Sequence, residues 1–280
     1  MGDTMRKAWG ALASAALLAA LTFAPSMAVA DDAQVCADES GDIAIAACSR
    51  AIASDKFRGH ALAVLYNNRG AEYSEKGDFD RGIADFSKAI EQDPKDAEAY
   101  YNRGLTYYKK KDYDRAIAEH SKAIELAPTR ATYFMDRANA YSDKGDHDHA
   151  MADYNQAIRL EPNDPKTLNN LCDELVIIRQ LQAALANCNE SLRLRPNYAN
   201  ALWHRGVAYL VLGELDKALA DFDAQFRLNP KDAWALYGRG YIRVKRGESE
   251  AGNADIAAAK AIRANVADDV ADNFAIHGVK

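Results

Sequence analysis

The sequence predicts an all-α protein, a solenoid of stacked antiparallel helix pairs, and three observations carry that prediction. Pro94, Pro128, Pro162, Pro196 and Pro230 stand thirty-four residues apart in a single register, and a fixed period of this length marks a repeat architecture. Within each interval, as in "AEAYYNRGLTYYKKKDYDRAIAEHSKAIELAP", apolar residues recur at helical spacing in two runs. A Lys-rich turn and an Asp able to cap the second helix separate the runs. Small residues also recur at fixed places. Counting units from Ala63, Ala97, Ala131, Pro165 and Ala199, position 8 is Gly70, Gly104, Ala138, Cys172 and Gly206, and position 20 is Gly82, Ala116, Ala150, Ala184 and Ala218. Small side chains there let two helices approach closely. A single pair cannot bury its apolar face, so the units must stack.

Residues 1–30 read as a secretory signal peptide: Arg6 and Lys7 precede an apolar run from Trp9 to Phe23, and "MAVA" ends at Ala30 before two Asp. The run is shorter than the roughly twenty apolar residues of an uncleaved anchor. Asp31 stands where lipid attachment would need a Cys. Loss of Arg6, Lys7 and Asp3 makes the formal charge of −6 one unit more negative. With no basic block, the chain has no electrostatic reason to bind nucleic acid. We expect a periplasmic or secreted protein, without membrane insertion after signal cleavage.

Residues 31–62 read as an N-terminal capping half-repeat, because "DIAIAACSRAIAS" matches the second run of a unit and a four-residue insertion precedes Ala63. Five full repeats span residues 63–232. Position 4 is bulky (Tyr66, Tyr100, Phe134, Leu168, Leu202) and position 11 is Tyr73, Tyr107, Tyr141, Leu175 and Tyr209. A degenerate sixth unit covers 233–264, with Arg243 where Tyr is expected and no closing Pro. The tail, 265–280, reads as a capping helix laid against the last pair.

This pattern resembles the tetratricopeptide repeat, whose signature is a bulky residue, a small one and a Tyr in the first helix, then Ala, an aromatic, Ala and a closing Pro. The resemblance implies a right-handed superhelix with a concave groove lined at positions 2, 5, 9 and 12 of each first helix. Candidate groove residues are then Tyr101, Leu105 and Tyr108, Met135 and Asn139, and Trp203, Trp234, Tyr237 and Tyr241. Two readings of the last cluster stand side by side: it binds a partner, or the tail from Val266 to Ile276 covers it. A variant of the family grips chaperone carboxylates with Lys at position 5 and Asn at position 9, and that clamp is absent here.

Position 7 is Arg69, Arg103, Arg137, Arg205 and Arg239, and position 23 is Asp85, Glu119, Asp153, Asp221 and Asp255. We expect these to pair across the two helices of a unit. Only the fourth unit departs, with Leu171 and Asn187, and both charges vanish together. Beside them stand Cys172 and Cys188. Since the resemblance turns position 8 toward the second helix, it implies a disulfide in place of the polar tie; two buried free thiols are the alternative. Cys36 with Cys48 is the matching expectation for the amino-terminal cap. An exported chain with an even cysteine count favours disulfides. Such a bridge contributes roughly 3 kcal/mol, against about 0–1 kcal/mol for an exposed ion pair.

The repeats leave no stretch for a separate catalytic domain, and no phosphate loop, nucleophile elbow or zinc-type spacing is present. We therefore expect no enzyme, no cofactor and no metal. "HDH" at 147–149 aligns with the inter-helix turns of other units and reads as a solvated turn, and His120 at position 24 reads as packed. The expected function is a binding or assembly scaffold for a protein or peptide partner. Alternatives are a non-catalytic subunit of a cell-envelope enzyme complex and a carrier of lipid or another small ligand.

Overall fold

The computed structural model describes residues 31–276. The expected signal peptide lies outside the described residues, as do residues 277–280. Among the described residues every regular element is helical, and the chain divides into two compact units, ending and beginning at Pro128 and Thr129.

The first unit holds α1 (31–38), α2 (Gly41–Ala53), α3 (Gly59–Glu75), α4 (Phe79–Gln92), α5 (Ala97–Lys109) and α6 (Tyr113–Leu126). Consecutive helices pack as antiparallel pairs, α3 on α4 and α5 on α6. Second helices start where Asp stands: Asp78 accepts the backbone N–H of Arg81 at 3.2 Å, and Asp112 that of Arg115 at 3.2 Å. Each cap satisfies one of the amide donors that a helix start leaves open. The core between pairs is built from small residues, Ala63, Ala89 and Ala99, and from Phe86, which is 1% exposed.

The second unit holds α7 (Ala131–Lys144), α8 (His147–Leu160), α9 (Pro165–Ile177), α10 (Leu181–Leu194), α11 (Ala199–Val211), α12 (Leu215–Leu228), α13 (Ala233–Lys245), α14 (Ser249–Ile262) and α15 (Val266–Ile276). Pairing continues as α7/α8, α9/α10, α11/α12 and α13/α14. In the last pair, glycine is what permits the crossing. A Cβ on Gly240 would stand 2.7 Å from the carbonyl oxygen of Gly252, and one on Gly252 equally close to that of Gly240. Position 27 is small in the other units (Ala89, Ala123, Ala157, Ser191, Ala259), but in the fifth it is Gln225, which is 5% exposed and donates to Asp232 at 3.0 Å.

Candidate functional site

The Arg and carboxylate rows meet in every unit that carries them. Arg69 donates through Nε and Nη2 to the two oxygens of Asp85 at 2.7 and 2.8 Å, and Arg137 does the same to Asp153 at 2.7 and 2.8 Å. Arg205 grips Asp221 at 2.8 and 2.6 Å, and Arg239 grips Asp255 at 2.8 and 2.6 Å. Arg103 reaches Glu119 with one nitrogen, at 2.8 Å. These pairs are not exposed: the Arg205 and Asp221 side chains retain 23% and 6% of their accessible surface. Bidentate geometry and partial burial put them above the surface pairs first expected. Within the Arg205 pair, burial pushes the Asp221 carboxyl up, against the pull of Arg205. The same bond raises the Arg205 guanidinium further.

Four of these arginines, Arg69, Arg103, Arg205 and Arg239, also reach back one unit, a link that the alignment of rows did not reveal. Arg69 Nη1 donates to Ser49 Oγ at 2.9 Å, Arg103 to Ser87 at 3.0 Å, and Arg205 to Asn189 at 2.8 Å. Position 25 of the preceding unit supplies Ser87 and Asn189. One guanidinium thus ties a helix pair together and holds it to its neighbour.

The fourth unit replaces both links. Cys172 and Cys188 are bonded, with Cα atoms 5.4 Å apart and no exposed surface, so the bridge joins α9 to α10 where the ion pair is missing. Cys36 and Cys48 are bonded likewise, tying α1 to α2. The backward link falls to Glu174, 1% exposed, which accepts from Ser142 Oγ at 2.5 Å and stands 2.7 Å from His147 Nδ1. Its place in the repeat holds Glu72, Thr106, Ala140, Ala208 and Ile242 in the other units, and Glu72 also reaches back, accepting from the backbone N–H of Gly41 at 2.6 Å, so a carboxylate shared by two units of this row was the signal that reading by rows passed over. The cluster is not catalytic in layout, because the serine hydroxyl donates to the carboxylate and not to a histidine that could act as its base.

"HDH" is therefore more than a solvated turn. His147 ties α8 to α9 through Glu174, and His149 contacts Asp146 at 2.8 Å and stacks on Tyr141 at 5.0 Å. His120 is fully buried against Tyr101, their ring centroids 5.5 Å apart. Among the described residues no three metal-ligating side chains cluster, and no helix is long and apolar enough to cross a membrane.

The groove residues divide by unit. In the first, Tyr101, Leu105 and Tyr108 lie at i, i+4 and i+7 on one face of α5, each half-buried, with Tyr108 beside Tyr113 at 5.7 Å. In the second, the expectations for Met135 and Trp203 need correction. Met135 is 2% exposed and belongs to the core, in one cluster with Ala138, Tyr154 and Leu171. Asn139 is occupied, accepting from Tyr154 Oη at 2.7 Å and from Asn170 Nδ2 at 3.0 Å. Trp203, 5% exposed, is likewise no open lining: Trp234 meets it edge-on at 5.1 Å and Phe274 of α15 stacks parallel at 5.9 Å. Phe274 also meets Tyr241 at 5.1 Å. Of the two readings of this cluster, the tail as cover is the one observed. Trp234, Tyr237 and Tyr241 remain half-buried.

Family models described as TPR repeat match residues 70–111 and 138–172, and models described as tetratricopeptide repeat match 97–130 and 174–233. Together they span more than half of the chain. No curated protein matches it. Among solved structures, YrrB, described as a TPR protein with an unusual peptide-binding site, is 27% identical, with a TM-score of 0.50 over 64% of this chain and 93% of its own. A tetratricopeptide repeat protein from Parabacteroides merdae is 15% identical, with a TM-score of 0.67 over 84% of this chain and 91% of its own. PilW, described as a widely conserved type IV pilus biogenesis factor, is 20% identical, with a TM-score of 0.66 over 71% and 93%. At such identities the last two are likenesses of fold.

Proposed function

The chain belongs to the tetratricopeptide repeat family, and from that premise we propose that it is an extracytoplasmic binding scaffold that holds a protein or peptide partner on the inner face of its first helices. The observation that carries this reading is the row Tyr101, Leu105 and Tyr108, half-buried side by side on α5. Aromatic side chains on a rigid helix offer large contact area with few rotors to immobilise, which suits a helix or extended peptide. The likeness to YrrB, whose description names a peptide-binding site, supports the same class of ligand. Two buried disulfides support an oxidising compartment, in keeping with the leader-like residues 1–30.

The test is a crosslinking capture from native cell envelopes, with residues 31–280 as bait beside a Tyr101→Ala, Tyr108→Ala variant. A partner held by the parent and lost by the variant, whose circular dichroism is unchanged, supports the assignment. Equal capture by both removes α5 from the site.

A further inference from the structure

One edge of the second compact unit carries positive charge, against the net sign of the chain. Because consecutive helices run antiparallel, the loops that follow α8, α10, α12 and α14 all emerge at that edge. Position 29, near the end of each second helix, is Glu91 and Glu125 in the first compact unit and becomes Arg159, Arg193 and Arg227 in the second. Cations at helix C-termini complement the macrodipole, yet carboxylates stand there in the first unit, so helix ends do not dictate the change. Composition does not dictate it either, since the formal charge of the chain is −6.

Some of these cations are engaged and others are not. Glu190 pairs with Arg193 at 2.7 Å, and Asp269 with Arg263 at 2.7 Å. Arg195, Arg227, Lys231 and Lys260 are exposed and, among the described residues, meet no carboxylate. The acid nearest to Lys231 in the chain, Asp232, is turned inward as the cap of α13, accepting the backbone N–H groups of Trp234 and Ala235 at 2.9 and 3.3 Å. Aliphatic side chains stand between the cations. Leu228 and Ile262, at position 30 of consecutive repeats, are 42% and 48% exposed, whereas Leu126, Leu160 and Leu194 at the same position are half-buried. A soluble polyanion binds cations alone. Exposed aliphatic groups beside them gain only where an apolar phase lies directly beneath the negative charge, which is the boundary of a bilayer.

We propose that this edge docks the protein on the surface of a bilayer containing anionic phospholipid, with Arg195, Arg227, Lys231 and Lys260 at the headgroups and Leu228 and Ile262 entering the acyl boundary. The contact is peripheral, since no helix among the described residues is long and apolar enough to cross. The four cations belong to successive repeats, so no run of the sequence shows them as a block; the stacking of helix pairs gathers them. The edge is separate from the row on α5 and goes beyond the binding-scaffold reading.

The test is co-sedimentation of residues 31–280, which hold every described helix, with vesicles of phosphatidylcholine alone or with about one third phosphatidylglycerol. We expect binding to the anionic vesicles that weakens as salt rises. Arg195→Glu with Lys231→Glu should weaken it about tenfold or more at low salt. Lys88→Glu with Lys122→Glu alters the net charge equally in the first compact unit and should weaken it less than about twofold. Leu228→Ser with Ile262→Ser should remove the binding that survives at high salt. Absence of binding by the folded parent, or equal losses from the two charge-reversed pairs, overturns the proposal. Binding to soluble polyglutamate but not to vesicles, undiminished by Leu228→Ser with Ile262→Ser, would assign the edge to an acidic protein and overturn it too. Neither failure touches the α5 surface, which its own capture experiment judges.

Discussion

At the scale of single residues, the repeated Arg and carboxylate pairs show why position within a pair matters more than its presence. Asp221 retains 6% of its side-chain surface and Arg205 23%, so the arginine has a route to water when its partner is removed and the carboxylate has little. Arg205→Met should therefore cost about 3 kcal/mol, the low end for stranding a buried charge. Asp221→Asn should cost about 1.5 kcal/mol, typical of one hydrogen bond to a charged group. Urea unfolding of the two variants checks the order, and equal losses would show that the pair is wetter than described. By contrast, Lys88 and Glu91, both more than half exposed, should contribute little, because water screens the pair. The existence of these pairs was legible in the sequence because both charges vanish together in one unit. Their backward links to Ser49, Ser87 and Asn189 were not, since a guanidinium's five donors leave its second partner open in any alignment of rows.

At the scale of helices, capping and cross-linking decide how firmly each pair is held. The side chain of Arg81 and its backbone N–H hold the Asp78 carboxyl below its ordinary 3.8. A depressed folded-state value means that the stabilisation is present above the unfolded value and is lost as pH falls through the folded one. Asp78→Ala should thus lower the thermal midpoint at neutral pH, and the gap from the parent should close as the pH drops below 3.8. A gap that persists at pH 2 would locate the effect elsewhere than in the ionised cap. The α9–α10 bridge closes a separation of 16 residues, and its removal by Cys172→Ala with Cys188→Ala should cost about 3 kcal/mol in the chain-entropy account. Thiol titration of the unfolded natural chain should find no free thiol; two or more per chain would contradict the two bridges. The bridge was expected because the family places position 8 toward the second helix, and because an exported chain with an even cysteine count favours disulfides. Glu174 was missed because its partners, Ser142 and His147, lie in the preceding unit.

At the scale of the whole molecule, periodicity carries the fold. A proline every thirty-four residues fixes where each pair ends, and the small and bulky rows then fix which faces meet, so helix order and pairing could be read from the chain. Openness of the groove could not. Met135 and Trp203 occupy the same position 5 as Tyr101, yet they are 2% and 5% exposed while Tyr101 is half-buried. What closes Trp203 is Phe274, seventy-one residues further along; the sequence offered the tail as a cover beside partner binding, and no local pattern chose between the two. A binding face in a solenoid is therefore defined by what its own ends do as much as by the residues that line it.

The most direct measurement of the binding claim is site-specific photocrosslinking in native envelopes, with a photoreactive phenylalanine analogue placed at Leu105 on α5 or at Lys122 on the exposed side of α6. The account predicts a discrete crosslinked species from Leu105 and none from Lys122. Crosslinks of equal yield from both positions, or from Lys122 alone, would contradict it.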